Sequence, residues 1–484
     1  MLVLSLALQF DRAVVLVHAQ EPSALQAALA LEQLLENSIA RSEKSVVAIA
    51  RVKKVVHADA DLLAPLVQPF RGQDPTDPDF IPNEFGAGVV IDPDGLILTT
   101  HHVIGDPIAS GQSEYYVWSQ RKPFRAQVVA ADPWFDLAVL KIEASGLTPI
   151  PFGDGSQVRK GKIVIALGNP HAIARDGEAS ASWGIISNLL RRAPRVTQGE
   201  TDASSRDSVH HYGTLLQTDA KLNLGFSGGA LINLRGEMIG LSVSYAAAAG
   251  YETAAGFAIP VDDKFRRTVD SLRQGRKPEF GFLGVKPESI ASELRQSGFH
   301  GARITQILTA TPAARAELKT GDIISHINGN AVHDDDDLIR LVSSLPPESS
   351  AEFTVVRGNL DRGQARVLKK QVLLSKKFVS SPQYGTAVEP NWRGLQADYS
   401  TAVPNFERIA HRLDPAGCVH VHRVDHDSAS WNAGLRPGML ISHVQRRRVS
   451  TPAEFYAAMQ GKTGDVRLRA ISSDGSAIVR TVSP

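Results

Sequence analysis

Between residues 46 and 243 the chain carries nine short apolar, mostly β-branched runs, at 46–52, 88–91, 96–99, 127–130, 137–142, 163–167, 185–187, 231–233 and 238–243. Gly, Pro and Asp separate them, as in Asp92-Pro93-Asp94-Gly95 and Gly168-Asn169-Pro170. Many short strands joined by tight turns, with few helices, predict a mostly β domain closed as a sandwich or barrel. One helical pattern precedes the first run: Ala24, Ala28, Leu31, Leu35 and Ile39 share a face, which predicts an amphipathic helix within residues 20–45. The segment 57–83 is rich in Asp and Pro and has no period, so a mobile surface loop is expected there.

The C-terminal half repeats itself. Ala316-Glu317-Leu318-Lys319-Thr320-Gly321-Asp322-Ile323-Ile324-Ser325-His326 aligns with Ala433-Gly434-Leu435-Arg436-Pro437-Gly438-Met439-Leu440-Ile441-Ser442-His443, and the same offset pairs Val332 with Val449. Two copies of one module follow, at 278–376 and 391–484, joined by a linker around 377–390. Residues 275–277 mark the boundary with the β domain, which spans 46–274.

Bulk composition excludes several classes. Net charge is +1, and 43% of residues are hydrophobic and 21% charged, so neither disorder nor a field recruiting nucleic acid or anionic membrane is indicated. The arginines at 446–448 read as a solvated turn. The single cysteine, Cys418, allows no intramolecular disulfide and has no context that would activate a thiol. Residues 1–8 and 13–17 are apolar, and Val17-His18-Ala19 fits a small-residue cleavage site, so residues 1–19 are read as a signal peptide for export. The run is interrupted by Asp11-Arg12 and falls short of the ~20 apolar residues a bilayer-spanning helix needs, so no stable membrane insertion is expected.

The chemistry is concentrated in three places. In Gly225-Phe226-Ser227-Gly228-Gly229 a serine is flanked by glycines, whose permissive backbone can aim several N–H groups at one point. A plain glycine-rich turn fits that pentapeptide as well, and so does the Gly-x-Ser-x-Gly elbow of α/β-hydrolases. Chain order separates the enzymatic readings. Hydrolases of that fold run Ser, acid, His, whereas here the best His and Asp candidates both precede the serine. His102 lies just after the run 96–99, where a strand end gives a base a rigid mount. Asp136 is embedded in Pro133-Trp134-Phe135-Asp136-Leu137-Ala138, where a carboxylate needs partners. Taken singly, His102 also fits a structural histidine and Asp136 a buried turn cap.

Together the three segments resemble the HtrA/Deg family of PDZ-containing serine proteases. The resemblance rests on Gly86-Ala87-Gly88-Val89-Val90-Ile91-Asp92-Pro93-Asp94-Gly95-Leu96-Ile97-Leu98-Thr99 followed by His102-Val103, and on Asp136-Leu137-Ala138-Val139-Leu140-Lys141. Gln217-Thr218-Asp219-Ala220 before the serine pentapeptide, Gly168-Asn169-Pro170 and Gly256-Phe257-Ala258-Ile259-Pro260 are further markers. The resemblance runs through both repeats. It implies a chymotrypsin-like double β-barrel followed by two PDZ (α+β) domains, with Ser227 as nucleophile, His102 as general base and Asp136 orienting it. Gly225 and Ser227 would supply the oxyanion N–H groups. It also implies ATP-independent cleavage of unfolded or misfolded protein, no cofactor or metal, assembly into a homotrimer or higher oligomer, and residence in the bacterial periplasm or cell envelope. The 57–83 segment looks like the family's long regulatory loop.

The sequence departs from the family pattern beside the nucleophile: Phe226 stands where Asn is usual, Ala230 and Leu224 where Pro is common. Phe226 keeps a second reading open, an inert chaperone or PDZ scaffold. A small-ester esterase is the third, disfavoured by chain order and by the repeats. The small apolar residues of 242–250 suggest preference for aliphatic side chains. Phe282-Leu283-Gly284-Val285 resembles the PDZ loop that receives a peptide C-terminal carboxylate, making Leu283, Gly284 and Val285 the expected peptide-binding residues. The second copy has Trp392-Arg393-Gly394-Leu395, with Arg393 where an apolar residue is usual, and a docking surface is the alternative there. The four aspartates 334–337 read as helix capping, and His420-x-His422 as polar strand residues.

Overall fold

The computed structural model describes residues 24–53, 82, 84–108, 113–169, 178–193, 208–244, 256–358, 364–471 and 476–484. The expected signal peptide, almost all of the 57–83 loop and all of residues 245–255 therefore lie outside the described residues.

Two closed barrels of six antiparallel strands form the first domain. The first contains β1 (Val46–Lys53), β2 (Glu84–Val90), β3 (Leu96–Thr100), β4 (Ser113–Ser119), β5 (Lys122–Asp132) and β6 (Leu137–Ile142). Its ring order is β5-β4-β1-β2-β3-β6, closed by β5 against β6. The second contains β7 (Ile163–Gly168), β8 (Ser180–Arg191), β9 (Leu215–Thr218), β10 (Ala230–Ile232), β11 (Met238–Val243) and β12 (Gly256–Pro260), in ring order β7-β8-β9-β12-β11-β10. Closure removes free edges. β4, β9 and β12 have no counterpart among the nine runs. β4 alternates polar and apolar residues, with Tyr115, Val117 and Ser119 buried and the others between them not, and β9 is only four residues long.

Each barrel fills its own interior. Val47, Ile49, Val90, Ile97, Leu140 and Ile142 pack in the first; Val164, Ala166, Ile186, Leu231, Ile239 and Phe226 pack in the second. A third cluster joins them: Val89, Leu98 and Val139 of one barrel meet Ile165, Leu167 and Leu241 of the other. The site described below lies on this junction. The helix α1 (Ala24–Ser42) forms as predicted, but only its C-terminal half packs. Leu35 and Ile39 rest on the junction core, while Ser38 Oγ and Ser42 Oγ donate to the carbonyls of Leu234 and Gly236 at 2.6 and 2.9 Å. Ala24 and Ala28 are exposed.

The two C-terminal copies share one topology. In the first, the sheet order is Val285–Ser289, Ala302–Ile307, Ile323–Ile327, Ser350–Arg357, Arg366–Leu373, with Asn330–Ala331 on the third strand. In the second it is Leu395–Tyr399, Val419–Val424, Leu440–Val444, Val466–Ile471, Ala477–Val482, with Arg447–Arg448 in the corresponding place. The aspartate run does cap a helix: Asp334 Oδ1 accepts from Asp337 N–H at 2.8 Å, and Asp335 to Asp337 occupy the first turn of Asp335–Ser343. Cys418 is fully buried in an apolar cluster shared by both copies, and burial pushes its thiol up to about 11.

Candidate active site

Loops at strand ends of the first barrel bring His102 and Asp136 into direct contact, and the Ser227 loop of the second barrel docks beside them on β2. β3 ends at Thr100, and the single helical turn α2 (His101–Ile104) follows at once. Of the adjacent histidines it is His102 that meets the acid: His102 Nδ1 lies 2.7 Å from Asp136 Oδ2. His101 is turned inward, its pKa lowered by burial. Asp136 sits on the tight turn between β5 and β6 with φ = +55°, a left-handed conformation that a non-glycine residue adopts only when its surroundings enforce it.

Those surroundings are specific. Asp136 Oδ1 accepts the backbone N–H of His102 at 3.0 Å, and its carbonyl accepts His101 N–H at 3.1 Å. The preceding residue, Phe135, is pinned at both polar groups. Its N–H donates to Asp132 Oδ2 at 2.7 Å, and its carbonyl accepts from His210 Nε2 at 3.0 Å. A carbonyl only accepts, so His210 carries its proton on Nε2 and receives the Thr214 hydroxyl on Nδ1 at 2.6 Å. Burial lowers the His210 pKa to about 4, which keeps the ring neutral.

The serine comes from the second barrel. Ala87 N–H of β2 donates to the Ser227 carbonyl at 2.8 Å, which ties the serine loop to the first barrel. Gly228 has φ = +83°, and a Cβ there would meet Ala87 O at 2.1 Å and Thr99 Oγ1 at 2.3 Å. Only glycine fits. Phe226 N–H, Gly228 N–H and Gly229 N–H donate to the carbonyls of Asn223, Ser242 and Phe226 at 3.1, 2.8 and 2.9 Å. The N–H groups of Gly225 and Ser227 have no acceptor among the described residues. These are the two that the family resemblance implies as oxyanion donors. Ser227 Oγ accepts from Ser244 N–H at 3.0 Å, while His102 Nε2 lies 3.5 Å from Thr100 Oγ1.

A trypsin-like peptidase domain matches residues 86–241 and a PDZ domain matches residues 281–365. A DegP-like probable periplasmic serine endoprotease of Chlamydia muridarum is 30% identical over 400 residues, covering 80% of this chain and 72% of that protein. Its namesake in Brucella suis is 31% identical over 381 residues, covering 77% and 68%. This chain belongs to the HtrA (DegP-like) family of serine endoproteases. Among solved structures, a variant of the HtrA-type protease AlgW with a bound decapeptide shares 25% identity at a TM-score of 0.50, covering 72% of this chain and 98% of that one.

Within this HtrA frame one of the departures gains a physical meaning. Phe226 is buried, and its ring fills the end of the second barrel against Gly168, where a Cβ would approach the ring within 2.7 Å. Burial of that ring contributes about 2–3 kcal/mol. The substitution thus anchors the loop through apolar packing. Of the 242–250 segment expected to shape side-chain preference, Ser242, Val243 and Ser244 are buried, and the rest lies outside the described residues.

The PDZ loops of the two copies differ. In the first, Leu308 N–H and Ala313 N–H hold the carbonyls of Gly284 and Leu283, each at 2.9 Å. The N–H groups of Leu283 and Gly284 have no acceptor among the described residues, and Val285 begins the strand beside them. Gly284 has φ = +87° and a Cβ there would meet Thr311 Cβ at 2.2 Å. In the second copy Gly394 N–H, at the place of Gly284, is engaged internally with Asn391 Oδ1 at 2.8 Å, and Leu395 N–H, at the place of Val285, with Trp392 O at 2.9 Å, while Arg393 N–H, at the place of Leu283, has no acceptor among the described residues. Tyr456 Oη then caps Ala397 N–H at 2.9 Å.

Sequence reasoning did not identify Asp132, His210 or Ser244. Asp132-Pro133 carries a turn signal four residues before Asp136 that could have found the first; nothing local marks the other two.

Proposed function

We propose that this chain is an ATP-independent endopeptidase of the bacterial cell envelope that cleaves unfolded polypeptide, with Ser227 as nucleophile, His102 as general base and Asp136 as its orienting acid. The observation that carries the assignment is the 2.7 Å contact of His102 Nδ1 with Asp136 Oδ2. It leaves Nε2 as the nitrogen that accepts the Ser227 proton once the hydroxyl rotates away from Ser244 N–H. Attack on a peptide carbonyl gives a tetrahedral oxyanion, for which Gly225 N–H and Ser227 N–H are the available donors. His102 then protonates the leaving amine, and water hydrolyses the acyl-enzyme by the reverse of the same proton transfers.

Substrate delivery falls to the first PDZ copy, whose Leu283 and Gly284 N–H groups are available for a peptide carboxylate while Val285 starts an exposed strand edge for pairing. The AlgW complex with a decapeptide supports a peptide ligand for this chain. The periplasmic naming of the Chlamydia and Brucella relatives supports the location. The chain assembles as a homotrimer or higher oligomer, and the exposed Leu25, Leu29 and Leu34 of α1 offer apolar surface for such contacts.

Labelling with a fluorophosphonate tests the assignment. Wild type is expected to be labelled at Ser227, and His102→Ala to lose labelling. Labelling that persists in Ser227→Ala contradicts the assignment, and an unlabelled wild type that still suppresses aggregation of unfolded protein establishes the chaperone reading.

A further inference from the structure

The linker between the two PDZ copies returns to the first barrel. Tyr384 and Gly385 pair antiparallel with Ala131 and Ala130 of β5, adding a seventh strand beside the turn that bears Asp136. Thr386 continues the contact, its N–H and Oγ1 both donating to Val129 O at 3.1 and 3.0 Å, and Ala387 N–H reaches Gly275 O at 2.9 Å. The residue before the strand, Gln383, points its amide at two targets. Gln383 Nε2 donates to Asp132 Oδ1 at 2.7 Å and to the carbonyl of Pro278 at 2.7 Å, at the junction of protease and first PDZ domain.

Asp132 is completely buried, and each of its oxygens holds one critical donor: Phe135 N–H on Oδ2 and Gln383 on Oδ1. Phe135 in turn stacks on Phe280 of the interdomain segment at 6.3 Å and precedes the left-handed Asp136. We propose that Gln383 is a positioning residue for proteolysis: it anchors Asp132, and through Asp132 and Phe135 it fixes the turn that presents Asp136 to His102. The arrangement of the C-terminal domains is thereby coupled to the alignment of the base. A cavity of about 740 Å³ lies between the protease and both PDZ domains, and Gln383, Phe135 and Tyr456 line it. The contact is therefore open to disturbance when the domains shift.

Electrostatics give the proposal a distinctive readout. Burial raises the Asp132 pKa to about 7, and the Gln383 hydrogen bond opposes that rise by favouring the ionised form. The groups facing this corner are Asp136 on the same turn, neutral His210 from the turn Val209–Tyr212, and Lys377, whose ammonium lies 4.2 Å from the Trp134 ring centre. Without Gln383, Asp132 takes up its proton at higher pH. A protonated Asp132 is a weaker acceptor for Phe135 N–H, so the acid turn loosens.

The inference rests on the assignment of Asp136 as the acid, and the test separates the two. Full-length wild type, Gln383→Ala, Gln383→Glu, Asp132→Asn and Ser227→Ala are compared on a fluorogenic peptide between about pH 5.5 and 8.5, with melting temperatures recorded alongside, a range that brackets the shifted carboxylate. Gln383→Ala is expected to lower kcat by about 10–100-fold with KM held within about twofold, and to move the acidic limb of kcat to higher pH. Gln383→Glu, which keeps the shape but opposes Asp132 with a second carboxyl, should move that limb further. Asp132→Asn cannot titrate, so adding Gln383→Ala to it should leave the limb in place. Wild-type kcat and pH profile in both Gln383 variants overturn the proposal, as does a loss that only follows the unfolded fraction with no shift of the limb. Residual activity in Ser227→Ala would instead overturn the triad assignment itself.

Discussion

One carboxylate holds residue 102 at two points: Asp136 Oδ2 receives the His102 ring at 2.7 Å, and Asp136 Oδ1 receives the His102 backbone N–H at 3.0 Å. Ring orientation and backbone position are therefore fixed by the same group. Asn at 136 can satisfy one of these contacts only as an acceptor, and it presents a donor to the other. Asp136→Asn is expected to reduce kcat by about 10⁴-fold through the wrong imidazole tautomer. Circular dichroism should show a retained fold, so steady-state kinetics on a peptide substrate reads the chemical effect directly.

Phe226 is expected to behave as a core residue despite its place beside the nucleophile. Phe226→Ala empties the end of the second barrel and should cost about 3–5 kcal/mol of stability, with Phe226→Leu costing less. Asn, the residue common at this position in the family, would bury an amide among Val164, Ala166 and Leu231 and should also destabilise. Chemical denaturation of each variant measures this. Asn more stable than Phe here would contradict the packing account.

Stability should depend on pH through His210. Its folded pKa is lowered to about 4 from the ordinary 6.5, so between those values the unfolded chain binds a proton that the folded chain refuses. That contribution is present above about pH 6.5 and is lost as pH falls towards 4, up to about 3 kcal/mol in all. Asp132 acts in the opposite sense, since its raised pKa favours the folded state at low pH and is a liability as pH rises towards 7. Melting temperatures of His210→Gln and Asp132→Asn across pH 4–7.5 should therefore diverge from wild type at opposite ends of the range.

Peptide binding should reside in one PDZ copy. A labelled peptide ending in an apolar residue should bind the full chain with one site per subunit, because Gly394, Leu395 and Ala397 N–H groups are engaged within the second copy. Gly284→Val places a side chain against Thr311 and should weaken binding by about tenfold or more. Gly394→Val, strained in the same way against Ser428, should leave peptide affinity unchanged. Fluorescence anisotropy with each variant distinguishes one site from two.

How far these features could be read from the sequence follows from how local they are. Ser227, His102 and Asp136 each sit in a short segment whose composition fits the role proposed for it, and the glycines around Ser227 are required by contacts as close as 2.1 Å. The two C-terminal copies were visible because a constant offset survives divergence of individual residues. What stayed hidden is held by tertiary contact. Gln383 and Asp132 are 251 residues apart, and the Tyr384–Gly385 strand is too short to show any period. His210 looks no different in sequence from its neighbour His211. Helix α1 shows the reverse limit: its apolar face was legible, but only docking decides that Leu35 and Ile39 pack while Ala24 and Ala28 stay in solvent.

Cleavage of unfolded casein by the purified full-length chain, beside Ser227→Ala, tests the central claim most directly. The account predicts progressive degradation by the wild type without ATP and none by the variant. Intact casein with both proteins, including in the presence of peptides ending in apolar residues, would contradict it.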